Sequence, residues 1–305
     1  MVVQAQEGRL IAAAGLRVLV ATAVSLEREA VAGAFAVPVE EVPLPGAALG
    51  RLPLRPATSA PGAAGCAHPP PLSASPPLSA SLERGDPHER GDPHRPAGRL
   101  ATAETAGTLD LLVAGVGPAH AAASTATALT AAALAGDPYD LVVSAGIGGG
   151  FQPDAAVGSL VVADEIVVAD LGADTAEGFV PVTELGFGAV SHRPPESLVR
   201  EVAAATGGRT GTVLTVSTVT GTAARAAELR ARHPRALAEA MEGFGVAEAA
   251  AAHGVPVLEL RAVSNPVGPR DRAAWRIGDA LAALTEGFGK LAPVLESWNP
   301  HDRTH

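Results

Sequence analysis

Leu258–Asp271, LELRAVSNPVGPRD, is the stretch on which the reading of this chain turns. It lies at the end of an apolar run, Val255–Val263, of the kind that forms a buried strand. The run becomes polar at Arg261, Ser264 and Asn265, and Pro266, Gly268 and Pro269 predict a rigid loop outside any regular element. An open α/β sheet places its ligand beyond the carboxyl ends of its strands, against loops of this composition. A plain strand followed by a polar turn gives the same pattern, so the neighbouring stretches decide between the two.

Just upstream, Ala240–Gly243 (AMEG) precedes an Ala-rich helix closed by Gly254. Earlier come a charged helix over Ala223–Arg232 and strands over Gly211–Val216 and Ser159–Val168, the latter followed by DLGAD and a loop through Phe179. Asp140–Ser144 reads as a buried strand leading into a glycine loop, AGIGGGF (Ala145–Phe151), whose backbone amides can approach a ligand closely. Its spacing is wrong for a dinucleotide fingerprint. Leu109–Gly117 (LDLLVAGVG) is a strand ending in a turn at Gly115 and Gly117; Pro118 then starts a helix that stops at Gly136. Leu16–Ala21 (LRVLVA) is a first buried strand, and Ser25 is placed to cap the helix after it. Glu27 sits in that helix's first turn, where the dipole alone would favour an acid. A last helix is expected over Arg272–Leu295. This alternation predicts a single α/β domain over 16–295, with a twisted, mostly parallel or mixed central sheet and helices on both faces.

Composition narrows the function. The chain has 305 residues, 47% hydrophobic and 3% aromatic, so its core is built from Ala, Val and Leu. The net charge of −10 carries no Lys/Arg cluster, which argues against a nucleic-acid partner. Cys66 is the only cysteine, which excludes an internal disulfide or a cysteine metal cluster. No apolar run is long enough for a transmembrane helix; a cytoplasmic protein without metal or cofactor is the expectation. Residues 1–15 read as an N-terminal extension and 296–305 as a polar tail. Residues 56–98, rich in Pro, Ala, Ser and Gly, read as a disordered insertion. There PPLSAS (70–75, 76–81) and ERGDPH (83–88, 89–94) are each duplicated in tandem, which accounts for His88 and His94 without a metal.

In this order, Glu27 after a strand, the Gly115/Gly117 turn, AGIGGG, AMEG and RAVSN (Arg261–Asn265) resemble the nucleoside phosphorylase and nucleosidase superfamily. The likeness is strongest to its methylthioadenosine/S-adenosylhomocysteine nucleosidase branch. Within that branch SNPVGPRDRAAW (Ser264–Trp275) is similar to the futalosine hydrolase family, which acts in menaquinone biosynthesis and removes hypoxanthine from a nucleoside. The resemblance implies a nucleoside phosphorylase-like fold, a nucleoside and water as reactants, and a homo-oligomer. It also implies that Glu27 activates water, Glu242 binds the ribose, Asn265 contacts the base, and Arg261 lies near water and ribose. Gly146, Ile147, Gly148, Thr220, Met241 and Ser264 are implied as further substrate contacts.

The chemistry agrees with that assignment. N-glycosidic cleavage passes through an oxocarbenium-like sugar and needs a base for water, an acceptor for the hydroxyls and a donor for the departing purine. Two positions depart from the adenine-specific relatives: Ile147 replaces a hydroxyl residue, and Asn265 replaces an aspartate. A carboxylate would repel the O6 acceptor of a 6-oxopurine, whereas an amide NH₂ can donate to N7 and O6. Asn265 therefore points to hypoxanthine. A phosphorylase acting on inosine-like nucleosides stays open through Arg28 beside Glu27; so do a methylthioadenosine-type nucleosidase and a non-catalytic purine-binding protein. Arg270, Arg272, Arg276 and Phe179 are candidates for the distal carboxyphenyl group of futalosine.

Overall fold

The structure, a computed structural model, describes residues 15–54 and 107–299. The expectations for the N-terminal extension over 1–14, the insertion over 56–98 and the end of the tail over 300–305 lie outside the described residues.

The first strand, β1 (Arg17–Thr22), runs into helix α1 (Ser25–Ala32), and two short strands follow, β2 (Glu40–Val42) and β3 (Ala48–Pro53). β4 (Thr108–Val113), α2 (Pro118–Leu134), β5 (Leu141–Gly150) and β6 (Leu160–Val168) come next, then a hairpin, β7 (Gly172–Thr175) and β8 (Gly178–Pro181). The chain continues through β9 (Ser191–His192), α3 (Glu196–Thr206), β10 (Arg209–Thr215) and α4 (Ala223–Arg232). It ends with β11 (Ala236–Ala240), α5 (Gly243–Ala252), β12 (Val257–Pro266) and α6 (Ile277–Ser297).

All strands except the hairpin join one mixed sheet in the order β11-β10-β6-β12-β5-β1-β4-β3-β2, with β9 beside β6. β5 is the hinge of this sheet. Its first half lies parallel between β1 and β12, from Leu141 to Ser144 on the β1 side. Its last residues leave β1 and pair antiparallel with β11, Gly149 opposite Glu239. That closes β5, β12, β6, β10 and β11 into a ring.

Two apolar layers cover the sheet. One gathers α2 and α5 (Ala121, Ala128, Leu129, Val246, Ala250) and the other α1, α3 and α6 (Val31, Leu198, Val202, Leu284, Phe288, Leu291). Helices on both faces follow from strands that are apolar on both faces: β1 and the first half of β5 are buried throughout.

Four boundaries differ from expectation. AGIGGG is not a loop but the end of β5, and β12 runs past Val263, so that Ser264, Asn265 and Pro266 lie on it rather than beyond it. The glycines allow this pairing: a Cβ at Gly148 would stand 2.8 Å from the carbonyl oxygen of Glu239, and one at Gly149 2.9 Å from Val267. DLGAD opens the β7–β8 hairpin, and the last helix begins at Ile277 after a 3₁₀ turn over Arg272–Ala274. β11, ALAEA, was not expected as a strand. Ala and Glu are poor strand formers, and pairing with β10 and β5 decides its conformation.

Candidate active site

The carboxyl ends of β1, β5, β11 and β12 converge on three buried charged side chains: Glu27, Glu242 and Arg261, each under 10% exposed. Glu27 comes from the first turn of α1. The helix N-cap is Val24, which has no acceptor, and Ser25 makes no capping bond. The Glu27 carboxylate does that work instead: Oε2 accepts from the backbone N–H of Ala23 at 2.9 Å and of Val24 at 3.3 Å. Oε1 accepts from the N–H of Ile147 at 2.9 Å, so the glycine stretch of β5 is tied to α1 by the same group. Gly146 makes room for this contact; a Cβ there would lie 2.5 Å from Glu27 Oε1 and 2.8 Å from Arg261 Nη1.

Glu242 is the N-cap of α5. Its Oε1 accepts from the N–H of Gly117 and its Oε2 from that of Met241, both at 3.3 Å. Arg261, on β12, donates from Nε to Glu259 Oε1 at 2.8 Å and from Nη2 to Ser144 Oγ at 2.9 Å, with Nη1 3.4 Å from Glu242 Oε2. Burial acts to lower the guanidinium's pKa, but Glu259, Glu242 and Glu27 outweigh it and hold it above its ordinary value. Burial pushes the Glu27 carboxyl up, aided by the Glu242 charge and opposed by Arg261 and the Ile147 and Ala23 amides; the balance lies above the ordinary range. A carboxylate raised in this way, with a cation beside it, suits a proton acceptor working near neutral pH.

Ser264 and Asn265 lie further along β12, past a register shift between Val263 and Asn265 that sets Asn265 opposite Gly149. The Asn265 NH₂ donates to the carbonyl of Pro266 at 2.9 Å, so its Oδ1 faces the Ser264 hydroxyl at 2.9 Å. The single hydroxyl proton goes to Oδ1, and the 3.2 Å approach of Ser264 Oγ to the Gly148 carbonyl is secondary. One amide N–H remains for a ligand. Donation to N7 and O6 together, the sequence expectation, requires Asn265 to release Pro266.

Thr220 shares no hydrogen bond with the Glu27–Glu242–Arg261 group. Its N–H and hydroxyl both go to Glu239 on β11, at 2.8 and 2.5 Å. Glu239, Glu259 and Ser144 were missed from the sequence. Glu259 precedes Arg261 by two residues and so shares its face of the strand, a pattern legible once the strand is known. Arg28 does not face the site: it pairs with Glu41 of β2 at 2.5 Å. Of the candidates for a distal group, Arg270 and Arg272 flank the Trp275 ring at 5.5 and 5.8 Å, Arg276 pairs with Asp279, and Phe179 stacks under Arg232.

A mixed sheet closed at one end, with two carboxylates and a buried arginine at its strand ends, is the setting of a nucleoside-cleaving enzyme. The family model described as "Phosphorylase superfamily" matches residues 80–292, and the chain belongs to that superfamily. The chain is 63% identical over 288 residues to a futalosine hydrolase of Streptomyces coelicolor, covering 94% of this chain and 100% of that one. It is 44% identical over 201 residues to a futalosine hydrolase of Acidothermus cellulolyticus, covering 64% and 80%. Within the superfamily, the chain is a member of the futalosine hydrolase family. A solved structure of a futalosine hydrolase mutant from Helicobacter pylori has the same fold, with a TM-score of 0.64 at 17% identity, covering 92% of this chain and 99% of that one.

Proposed function

We propose that this chain hydrolyses the N-glycosidic bond of futalosine, releasing hypoxanthine and dehypoxanthine futalosine for menaquinone biosynthesis. The observation that carries the reading is the 63% identity along the whole of a futalosine hydrolase. The site geometry supports it. Glu27, raised by burial, takes a proton from water as it attacks the anomeric carbon. Glu242 accepts from the ribose hydroxyls, and Arg261 holds Glu242 in place. Asn265 donates to the base as negative charge builds on it. Gly146, Ile147 and Gly148 form the backbone wall beside the sugar, Met241 and Ser264 line its edge, and Thr220 serves the base end.

Phosphorolysis is disfavoured by the same geometry. Phosphate needs an uncommitted cation; Arg28 is engaged with Glu41, and Arg261 with Glu259, Glu242 and Ser144. Among the described residues no helix is long and apolar enough to cross a membrane. We place the enzyme in the cytoplasm, as a homo-oligomer.

The test is base release from futalosine, inosine and methylthioadenosine, each with and without phosphate, followed by chromatography. Hypoxanthine released from futalosine without phosphate is expected. A phosphate requirement, or preference for methylthioadenosine, overturns the assignment.

A further inference from the structure

We infer that Glu239 is the second reader of the purine: its carboxylate accepts the N1–H of hypoxanthine and, with Asn265, selects a 6-oxopurine over a 6-aminopurine. This rests on the functional reading above and extends it to a residue the sequence did not single out.

Placement is the first argument. Glu239 on β11 and Asn265 on β12 are both in register with Gly149 of β5, one on each side. Paired residues on neighbouring strands share a face, and strands lie about 4.8 Å apart, so the two side chains flank a glycine across roughly 10 Å. Gly149 presents no side chain there, and Val267, whose Cγ2 lies 2.9 Å from where a Cβ of Gly149 would stand, forms the apolar floor between the two. A purine laid across it would have one edge toward an amide and the other toward a carboxylate. The loops above agree. Thr220, held by Glu239, precedes Gly221, where a Cβ would stand 3.6 Å from Arg270 Cγ; Arg270 follows Asn265 on the next turn of chain. The two loops therefore meet at Gly221 and Arg270.

Chemistry is the second argument. Glu239 is 6% exposed, and each carboxylate oxygen accepts one bond from Thr220. Each oxygen can accept another, and an ionised carboxylate can only accept. Hypoxanthine offers a donor at N1; adenine offers a lone pair there. An amide can turn over to present its oxygen to an amino group, so Asn265 alone would be a soft discriminator. An ionised carboxylate cannot make that change; burial raises the Glu239 pKa and the two Thr220 bonds oppose that rise. Glu239 is the fixed half of the readout, because a buried acceptor facing a lone pair leaves both unpaired.

The test is binding of the free bases hypoxanthine and adenine, by calorimetry, to the wild-type chain, Glu239→Gln and Thr220→Val. The wild type should prefer hypoxanthine. Glu239→Gln, whose amide can donate to adenine N1, should narrow that preference by about tenfold to a hundredfold. Thr220→Val, which removes one of the two bonds that hold Glu239, should weaken both bases to a similar degree and keep hypoxanthine preferred, since the carboxylate remains. Equal weakening of both bases by both variants would mean that Glu239 only pins the loop, and would overturn the inference; so would an unchanged preference in Glu239→Gln. Should that variant not fold, 1-methylhypoxanthine, which lacks the N1–H, decides the matter on the wild type: binding at least about tenfold weaker than hypoxanthine is expected, and equal binding overturns the inference. Failure of the wild type to cleave futalosine would overturn the functional reading instead, and these base preferences do not depend on that outcome.

Discussion

Arg261 Nε donates to Glu259 Oε1 at 2.8 Å, and neither side chain has appreciable contact with solvent. The two residues stand two apart on β12, so the strand's alternation puts both on one face. Gly243, at the head of α5, has no side chain where the Glu259 carboxylate lies; a Cβ there would collide with both of its oxygens. With Nε fixed by Glu259, the planar guanidinium must aim Nη1 at Glu242 and Nη2 at Ser144. Glu259 is thus a positioning residue acting through Arg261.

Removing it tests that role. Glu259→Ala leaves the buried cation without its nearest acid and should destabilise the fold by about 3–5 kcal/mol. Glu259→Gln keeps a hydrogen-bond acceptor and should cost less, while kcat/KM falls in both. The check is a denaturant midpoint together with steady-state kinetics. An alanine variant as stable as the wild type would show that Arg261 is held by Glu242 and Ser144 alone.

Much of this site was legible in the sequence. Glu27, Glu242 and Arg261 were placed by strand ends and short motifs, and the structure brings the three together. What the sequence hid was the backbone beneath them. A run such as AGIGGG has the composition of a loop, and only the approach of β11 and β12 to its bare α-carbons makes it a strand. ALAEA carries no strand propensity, so Glu239 stayed invisible until β10 and β5 were seen on either side. Glu259 was masked in the same way, as a lone charge in an apolar run whose partner is a tertiary contact.

Glu27 joins structure to rate. Glu27→Gln should lose turnover, because an amide cannot take a proton from water. It should also lose about 1–3 kcal/mol of stability: one amide oxygen cannot serve the N–H groups of Ala23, Val24 and Ile147 together. In the wild type, burial raises this carboxyl above the ordinary glutamate value. The base form is lost as pH falls through that raised value, so the acid limb of kcat/KM should lie above the usual glutamate range of about 4.3. A limb at the ordinary value, or a glutamine variant with full turnover, would leave Glu27 as a helix-start residue only.

At the opposite ends of the strands, Asp110 of β4 provides a control remote from the chemistry. It is fully buried, and its carboxylate accepts from Arg51 at 2.7 Å, from Tyr139 at 2.7 Å and from Arg17 at 2.9 Å. Burial alone would raise this carboxyl; the Arg51 and Tyr139 hydrogen bonds and the two guanidinium charges outweigh it and hold it below the ordinary aspartate value. A depressed folded pKa contributes stability present above the unfolded value of about 3.9 and lost as pH falls through the folded one. Asp110→Asn should therefore lower the melting temperature at pH 7 and flatten the acid loss below about pH 4, with kcat/KM for futalosine unchanged. A steep acid loss persisting in the variant would place that proton uptake on other carboxylates.

Asn265→Asp bears on the base most directly, and the structure sharpens what it should do. In the wild type the Ser264 hydroxyl donates to Asn265 Oδ1 and the Asn265 NH₂ donates to the Pro266 carbonyl. An aspartate keeps the first contact and reverses the second, setting a carboxylate oxygen against a carbonyl oxygen at what was a 2.9 Å hydrogen bond. The same oxygen would face O6 of hypoxanthine. Losing a donor and facing an acceptor costs on the order of 1–3 kcal/mol, roughly tenfold to a few hundredfold in kcat/KM for futalosine. Two acceptors on either side raise the introduced carboxyl's pKa, so part of the activity should return as pH falls and the group regains a proton to donate. An adenine nucleoside with the same sugar presents an amino group at that position and should lose less. The measurement is the ratio of kcat/KM for aminofutalosine and futalosine, variant against wild type, across pH. The ratio should move toward the adenine form at neutral pH and back as the solution is acidified. A ratio that stays fixed across both proteins would mean that Asn265 braces Pro266 and does not read the base.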